Sequence, residues 1–152
     1  MSSHSGRLAE LGLTLPAVVP PVAAYIPAVR TGNLVFTSGQ LPMVDGKMAY
    51  TGLVGGPVTV EQAKEQARVC ALNALAAIDA LVGIDNIVRV VKVTGFVASA
   101  PGFTSQPAVV NGASELLGQV LGDAGIHARS AVGMAVLPLD APVEVELIVE
   151  VA

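Results

Sequence analysis

The sequence is poor in aromatic residues, in charge and in the residues that commonly bind metals. Aromatic side chains make up 3% of the chain, tryptophan is absent and the net charge is −4. Nucleic-acid binding needs a basic surface for phosphates and usually an aromatic platform for bases, so we predict no nucleic-acid partner. The two histidines and the single cysteine form no Cys/His cluster, and we predict no metal site.

Long apolar runs are also missing. No run approaches the roughly 18 residues that a membrane span needs, and no basic region followed by an apolar block opens the chain. We therefore predict neither a membrane segment nor a signal peptide. One cysteine cannot form an internal disulfide, which fits a reducing compartment, and we expect a cytoplasmic protein.

Apolar residues are abundant instead. Of the 152 residues, 53% are hydrophobic and 13% are charged, whereas soluble domains average about 25% charged residues. The length predicts one domain over 1–152. A surface so short of charge predicts that partner subunits cover part of it, and we expect a homo-oligomer.

Two long helices are predicted from apolar stripes with helical spacing. Thr59 and Gln62 form a capping box before the first, which Gly83 ends. Pro107 suits the first turn of the second, which Gly122 and Gly125 close. The first stripe comprises Ala63, Ala67, Cys70, Ala71, Ala74, Ile78 and Leu81. The second comprises Val109, Val110, Ala113, Leu116, Leu117, Val120 and Leu121.

Strands are predicted over 25–30, 34–40 and 87–97, with two more within 127–152. A short helix within 1–14 should end before Pro16, Pro20 and Pro21, which force an extended segment. A turn at Asp45-Gly46 should lead into a short strand at 47–50. The 87–97 strand, apolar on much of both faces, should lie inside the sheet. This order predicts an α+β or α/β sandwich, with helices on one sheet face and the other face left for a partner.

Arg129 is the first candidate for a functional residue. No acidic residue lies within four positions of it, so its guanidinium could grip a carboxylate with two parallel hydrogen bonds. A surface arginine or an interface ion pair is the alternative. We interpret the nearby His127 as a solvated turn histidine, and Cys70 as core. Glu144, the first acid of the last strand, is either functional or simply solvent-facing.

Several runs taken together resemble the Rid family (reactive intermediate deaminases, also called YjgF or RidA). The resemblance covers nearly everything from Tyr25 to the C-terminus, and the first 24 residues form an N-terminal extension. The runs are Tyr25-(x)5-Thr31-Gly32-Asn33, Thr37-Ser38-Gly39-Gln40-Leu41-Pro42, Gly95-Phe96-Val97, Val110-Asn111, Ala128-Arg129-Ser130-Ala131-Val132, Leu137-Pro138 and Val143-Glu144-Val145-Glu146.

The resemblance implies a chorismate-mutase-like α+β fold, with a mixed sheet, two long helices on one face and a homotrimer with clefts between subunits. Members hydrolyse reactive enamines and imines to 2-keto acids and ammonia without a metal or organic cofactor. Arg129 matches the arginine that binds the substrate carboxylate, and Glu144 the glutamate that orients water. The other matching positions are Tyr25, Ser38 and Gly39 lining the cleft, Asn111 near it, and Ala131, where the family often has cysteine.

Some features depart from the family. Besides Ala131, the segments 45–57 and 103–111 are longer than usual, which predicts a divergent subgroup. If the last two strands formed a hairpin, Arg129 and Glu144 would lie roughly seven residues, or about 23 Å, apart. Only a site shared between subunits would then bring them to one substrate.

Two other functions fit the same resemblance. One is a non-catalytic trimeric module that binds a small carboxylate or a protein partner. The other is chorismate mutase, which needs several cations in one cleft to stabilise a dianionic transition state. The five arginines and three lysines are scattered along this chain, which disfavours the mutase.

Overall fold

The computed structural model describes residues 3–18 and 23–152. Five strands form one sheet in the order β1-β2-β5-β3-β4, in which β3 and β4 are parallel and the other pairs are antiparallel. No described helix combines the length and apolarity needed to cross a bilayer. The elements are α1 His4–Glu10, β1 Ala28–Thr31, β2 Leu34–Thr37, α2 Val60–Val82, β3 Ile87–Ala98, α3 Gln106–Leu121, β4 Ala128–Met134 and β5 Val143–Val151.

The two long helices, α2 and α3, lie on the same side of the sheet. Every second residue of β5, from Val143 to Val151, is buried with residues of both helices in one core. The residues between them, beginning with Glu144, are half-buried on the other side. We call these sides the helix-covered face and the open face. The predicted α+β class, with a mixed sheet and two long helices on one face, is confirmed.

Helix α2 begins and ends where the sequence predicts. The Thr59 hydroxyl oxygen accepts a hydrogen bond from the Gln62 N–H at 3.1 Å, and the Gln62 side chain accepts one from the Thr59 N–H at 3.0 Å. Gly83 ends the helix at a φ of 84°. The predicted stripe is buried except at Leu81, which is 45% exposed. Val82 packs against the core in this last turn instead, because the stripe drifts around a helix of 3.6 residues per turn.

The first two strands are shorter than predicted. Strand β1 begins at Ala28 rather than at Tyr25, and β2 ends at Thr37. The chain leaves the ladder here because Ser38 bonds to the 26–27 segment: its N–H donates to the Pro27 carbonyl at 2.8 Å and its hydroxyl to the Ile26 carbonyl at 2.6 Å. The Asp45-Gly46 turn is confirmed, but the predicted strand at 47–50 is a single bridge to Val44.

The last two strands do not pair with each other. Strand β3 lies between β4 and β5, and β5 lies between β2 and β3. The predicted interior position of the 87–97 strand is therefore confirmed, whereas a C-terminal hairpin is wrong. A parallel β3–β4 pair needs a crossover, which α3 supplies.

The N-terminal segment is docked on the domain. Helix α1 buries Leu8, and the Arg7 Nε donates to the Gln119 carbonyl of α3 at 2.9 Å. Ser5 donates from its N–H and its hydroxyl to the Asp85 carboxylate at 2.8 and 2.5 Å, and these bonds lower the pKa of Asp85. The predicted helix is thus confirmed; Pro20 and Pro21 lie outside the described residues.

Two glycines of α3 give a matched test of helix packing. A Cβ at Gly112 would overlap the Lys64 carbonyl oxygen of α2, whereas one at Gly118 would meet nothing within 4 Å. We expect Gly112→Ala to destabilise the protein by about 1–3 kcal/mol, because backbone atoms must move apart. Gly118→Ala should stabilise it by about 0.5–1 kcal/mol, through helix propensity alone. Chemical denaturation measures both, and equal effects would contradict this close approach of α2 and α3.

Candidate functional site

Arg129 lies on the helix-covered face at the edge strand β4, in register with the buried Val93. Its Nη1 donates to the Asn111 Oδ1 at 2.8 Å and to the Ser114 Oγ at 3.2 Å, and its Nη2 donates to the Pro107 carbonyl at 3.4 Å. Positions 107, 111 and 114 share one face of α3 because they are spaced by four and three residues. Asn111, which the family resemblance placed near the cleft, therefore contacts Arg129.

The positive charge of Arg129 has no acidic partner among the described residues. Its three acceptors are neutral oxygens, and the two ion pairs found there join Arg7 to Glu10 and Lys64 to Glu115. A guanidinium carries five N–H donors, so two remain: the Nε–H and one N–H of Nη2. These two nitrogens are neighbours on the guanidinium, which allows a two-pronged grip on a carboxylate.

The sequence did not predict the hydrogen-bonded pair behind Arg129, which is formed by Ser114 and His127. The Ser114 Oγ lies 2.9 Å from the His127 Nε2, and the His127 Nδ1 lies 2.6 Å from the Gly125 carbonyl oxygen. His127 is thus half-buried with both ring nitrogens bonded, and the prediction of a solvated histidine is wrong. The available signal was the spacing of Ser114 from Asn111, three residues along one helix face.

Ala131 lies two residues after Arg129, on the same face and in register with Gly95. It is partly buried against the main core. A Cβ at Gly95 would overlap the side chain of Val110, so this glycine lets α3 lie close to the sheet beside Arg129. The small residue at 131 therefore belongs to the packing that sets the height of α3 above the sheet.

Glu144 stands on the open face, next to the segment that follows β2. Gln40 and Val145 exchange backbone hydrogen bonds of 2.8 and 3.1 Å, which continues the pairing of the chain past the end of β2. A Cβ at Gly39 would come within 2.8 Å of the Glu144 Cδ, so a side chain at this position would displace the carboxyl from where it lies. Ser38 precedes it, and the structure thus brings Ser38, Gly39 and Glu144 together.

The environment of Glu144 makes its charged form less favourable than that of a fully solvated glutamate. Burial raises the pKa of this carboxyl above its ordinary value of 4.5, and the nearby charge of Glu146 raises it further. Phe96 is its partner in register on β3 and packs into a small apolar cluster on the open face. A carboxyl with a raised pKa exchanges a proton more readily near neutral pH than an ordinary glutamate does.

Tyr25 belongs to the same group by connection. It lies in an irregular segment before β1, 55% exposed and one residue before Ile26, whose carbonyl accepts a hydrogen bond from the Ser38 hydroxyl. The predicted residues thus fall into two groups on one chain. The arginine group is Arg129, Asn111 and Ala131, and the glutamate group is Tyr25, Ser38, Gly39 and Glu144.

The two groups cannot serve one substrate within one chain. Arg129 is in register with Val93 and Glu144 with Phe96, so they are offset by three residues across two strand spacings. That is about 10 Å along the strands and about 10 Å across them, and the odd offset puts the side chains on opposite faces. The seven-residue separation expected for a hairpin is wrong, but the separation of the groups stands.

Two shallow depressions, of about 380 and 350 Å³, are lined by Arg89, Val91, Ile126, His127, Ala128 and Glu150, and by Glu61, Lys64, Glu65, Arg68, Gly112 and Glu115. Neither contains Arg129 or Glu144. Within the described residues, no three His, Cys, Asp or Glu side chains are grouped to hold a metal ion.

Comparison with known proteins places the chain in a family. Residues 5–151 match the family model described as "YjgF/chorismate mutase-like, putative endoribonuclease". The chain belongs to this YjgF family. The family predicted from the sequence motifs is therefore confirmed, and all of α1 after its first residue falls within the matched YjgF region.

Three relatives illustrate the place of this chain in the YjgF family. The protein Atu1372 of Agrobacterium tumefaciens, whose crystal structure describes it as of unknown function, is 51% identical with a TM-score of 0.91, over 98% of this chain and 92% of that one. Protein TCP17 of Trypanosoma cruzi is 44% identical, over 96% of this chain and 95% of its own. A 2-iminobutanoate/2-iminopropanoate deaminase of Dermatophagoides farinae is 30% identical, over 90% and 93%.

Proposed function

We propose that this protein hydrolyses carboxylate-bearing imines and enamines to 2-keto acids and ammonia, at sites shared between the subunits of a homotrimer. One observation carries the proposal: a guanidinium that meets no acidic partner in residues 3–18 and 23–152, and a glutamate with a raised pKa, lie on opposite faces of the sheet. Each is half of a site that a neighbouring copy would complete. The deaminase relative supports this reaction class.

The chemistry needs only these two groups. Arg129 binds the substrate carboxylate through Nε and Nη2 and so fixes the position of the imine carbon. Glu144 takes a proton from water as the water oxygen attacks that carbon of the protonated imine, which gives a neutral carbinolamine. The same carboxyl then returns the proton to nitrogen and the C–N bond breaks. As the carbonyl forms, the hydroxyl proton passes to the Glu144 carboxylate and on to the departing ammonia, and the 2-keto acid and ammonium leave. An enamine enters the same route after it is protonated on carbon.

The composition supports a small acidic substrate rather than RNA. The net charge is −4, and the described residues hold no arrangement of basic and aromatic side chains like the platforms that bind single strands. A lone guanidinium in a surface otherwise short of cations suits one carboxylate.

The open face supports the trimer. Val29, Phe36 and Val132 are 50%, 37% and 40% exposed there, on three different strands. Apolar side chains spread across one sheet face are typical of a surface that a partner buries. We expect a solution mass three times the 15.3 kDa of one chain, measured by light scattering, and a monomeric mass would contradict the shared site.

Mixed trimers test the shared site directly. We expect Arg129→Ala and Glu144→Gln to be inactive alone, yet to form active sites when co-expressed with two different tags and purified together. Trimers that carry both tags contain both variants, and in each of them one of the three sites has Arg129 from one chain and Glu144 from the next, so about a third of wild-type activity should return. The assay follows ammonia released from imines that an amino acid oxidase generates in situ.

The contrary outcomes are distinct. If both groups came from one chain, every site in the mixture would lack one of them and no activity would return. If the wild type bound 2-keto acids but released no ammonia from any amino-acid-derived imine, the non-catalytic carboxylate-binding module would replace the deaminase.

A further inference from the structure

We infer that Ser114 and His127 are positioning residues, which fix the orientation of the Arg129 guanidinium for a carboxylate ligand. This inference rests on the proposed function only in taking Arg129 as the carboxylate anchor. The pair touches neither the Nε–H nor the remaining Nη2–H, so its effect on a ligand would pass through Arg129.

The direction of each hydrogen bond in this chain follows from its last member. A backbone carbonyl can only accept, so the His127 Nδ1 carries the hydrogen that bonds to the Gly125 oxygen at 2.6 Å. In the neutral ring the Nε2 is then an acceptor, and it takes the single hydroxyl hydrogen of Ser114 at 2.9 Å. The Ser114 oxygen is left to accept, and it receives the Arg129 Nη1–H at 3.2 Å.

These hydrogen-bond directions keep the Ser114 hydroxyl from making the bond that a helical serine usually makes. A helical serine commonly donates to the carbonyl four residues earlier, which here belongs to Val110. His127 draws the hydroxyl hydrogen away from that bond and turns the oxygen lone pairs toward Arg129. Since His127 stands two residues before Arg129 on the same chain, its ring and the guanidinium are held by one stretch of backbone.

The consequence for Arg129 is a fixed guanidinium plane. Asn111 takes one Nη1 hydrogen and Ser114 takes the other, while Pro107 takes one from Nη2. A planar group held at several hydrogens cannot rotate freely about its long side chain, so its free Nε and Nη2 hydrogens point one way. A pre-oriented fork loses less conformational freedom when a carboxylate binds.

Binding of 2-oxobutanoate, followed by calorimetry, measures this effect without turnover. We expect Ser114→Ala and His127→Leu each to weaken binding by about fivefold to tenfold, which is the effect of one hydrogen bond. In imine hydrolysis the loss should appear in KM, with kcat within about twofold. His127→Gln, which keeps an acceptor, should restore most of the affinity. The double variant Ser114→Ala/His127→Leu should bind no more weakly than Ser114→Ala, because His127 acts through Ser114.

The controls separate this inference from the proposed reaction. His4→Leu removes the other histidine, which bonds to the Ile87 carbonyl, and should leave 2-oxobutanoate binding unchanged. Thermal unfolding of every variant shows whether it is folded. Unchanged affinity in both single variants, or losses that multiply in the double variant, would overturn the positioning role. If the wild type binds 2-oxobutanoate with this pattern but hydrolyses no imine, the deaminase fails and the positioning role stands; if it does not bind, both fail.

Discussion

Replacing Arg129 by alanine is expected to lower kcat/KM for imine hydrolysis by about 10²–10⁴-fold. Two charge-assisted hydrogen bonds to a carboxylate are lost, each contributing about 1.5–3 kcal/mol, and about 1.4 kcal/mol corresponds to a tenfold change in rate. Stopped-flow or coupled assays with imines generated in situ measure the loss. The same variant should lose 2-oxobutanoate binding.

Two comparisons sharpen this result. Arg129→Lys keeps the charge but not the two-pronged geometry, so we expect it to recover only part of the loss. The exposed Asn111 and the half-buried Ser114 can bond to water when the guanidinium is gone, so the variant should remain folded. Wild-type kcat and KM in a folded Arg129→Ala protein would remove Arg129 from the site.

Replacing Glu144 by glutamine is expected to lower kcat by about 10²–10⁴-fold, which is the usual contribution of a general acid–base group. Glutamine is similar in size and fits beside Gly39, so binding of 2-oxobutanoate should be retained. Affinity and turnover therefore separate in this variant, whereas they fall together in Arg129→Ala. A normal kcat in the Glu144→Gln protein would show that Glu144 is not the base that takes a proton from water.

The pH dependence of kcat follows from the same carboxyl. To take a proton from water, Glu144 must be ionised, and its pKa is raised by burial and by Glu146. The wild-type kcat should therefore fall as the pH drops through this raised pKa, at a higher pH than an ordinary glutamate would give. Glu146→Gln should move this limb toward lower pH, because the repelling charge is removed.

The raised pKa of Glu144 should also make the stability of the fold depend on pH. A carboxyl whose folded pKa lies above its unfolded pKa stabilises the fold most at low pH, and this contribution is lost as the pH rises through the folded pKa. The ionised Glu144 thus weakens the wild type near neutral pH, and Glu144→Gln should gain melting temperature relative to it as the pH rises from about 4 to about 7. A difference in melting temperature between Glu144→Gln and the wild type that is the same at every pH would contradict the raised pKa of Glu144.

Local signals predicted the helices well. The Thr59–Gln62 box and the glycine at 83 are complete within a few residues, and the stripe of α3 reports the face that α3 buries. Predictions that depended on distant partners were less accurate. Strand β1 begins three residues later than predicted because Ser38, twelve residues beyond Ile26, donates hydrogen bonds to the carbonyls of residues 26 and 27. His127 needed Ser114 from another element before its role became visible.

From its residues alone, this chain determines the type and ends of its long helices, the alternation of its last strand and, through its motifs, its family. Those features depend on contacts between residues near in sequence, or on side-chain types that recur at set positions. The tertiary structure alone decided that β3 separates β4 from β5, and so placed Arg129 and Glu144 on opposite faces of the sheet. Strand order depends on how α2 and α3 pack over the sheet, and no stretch of neighbouring residues encodes it.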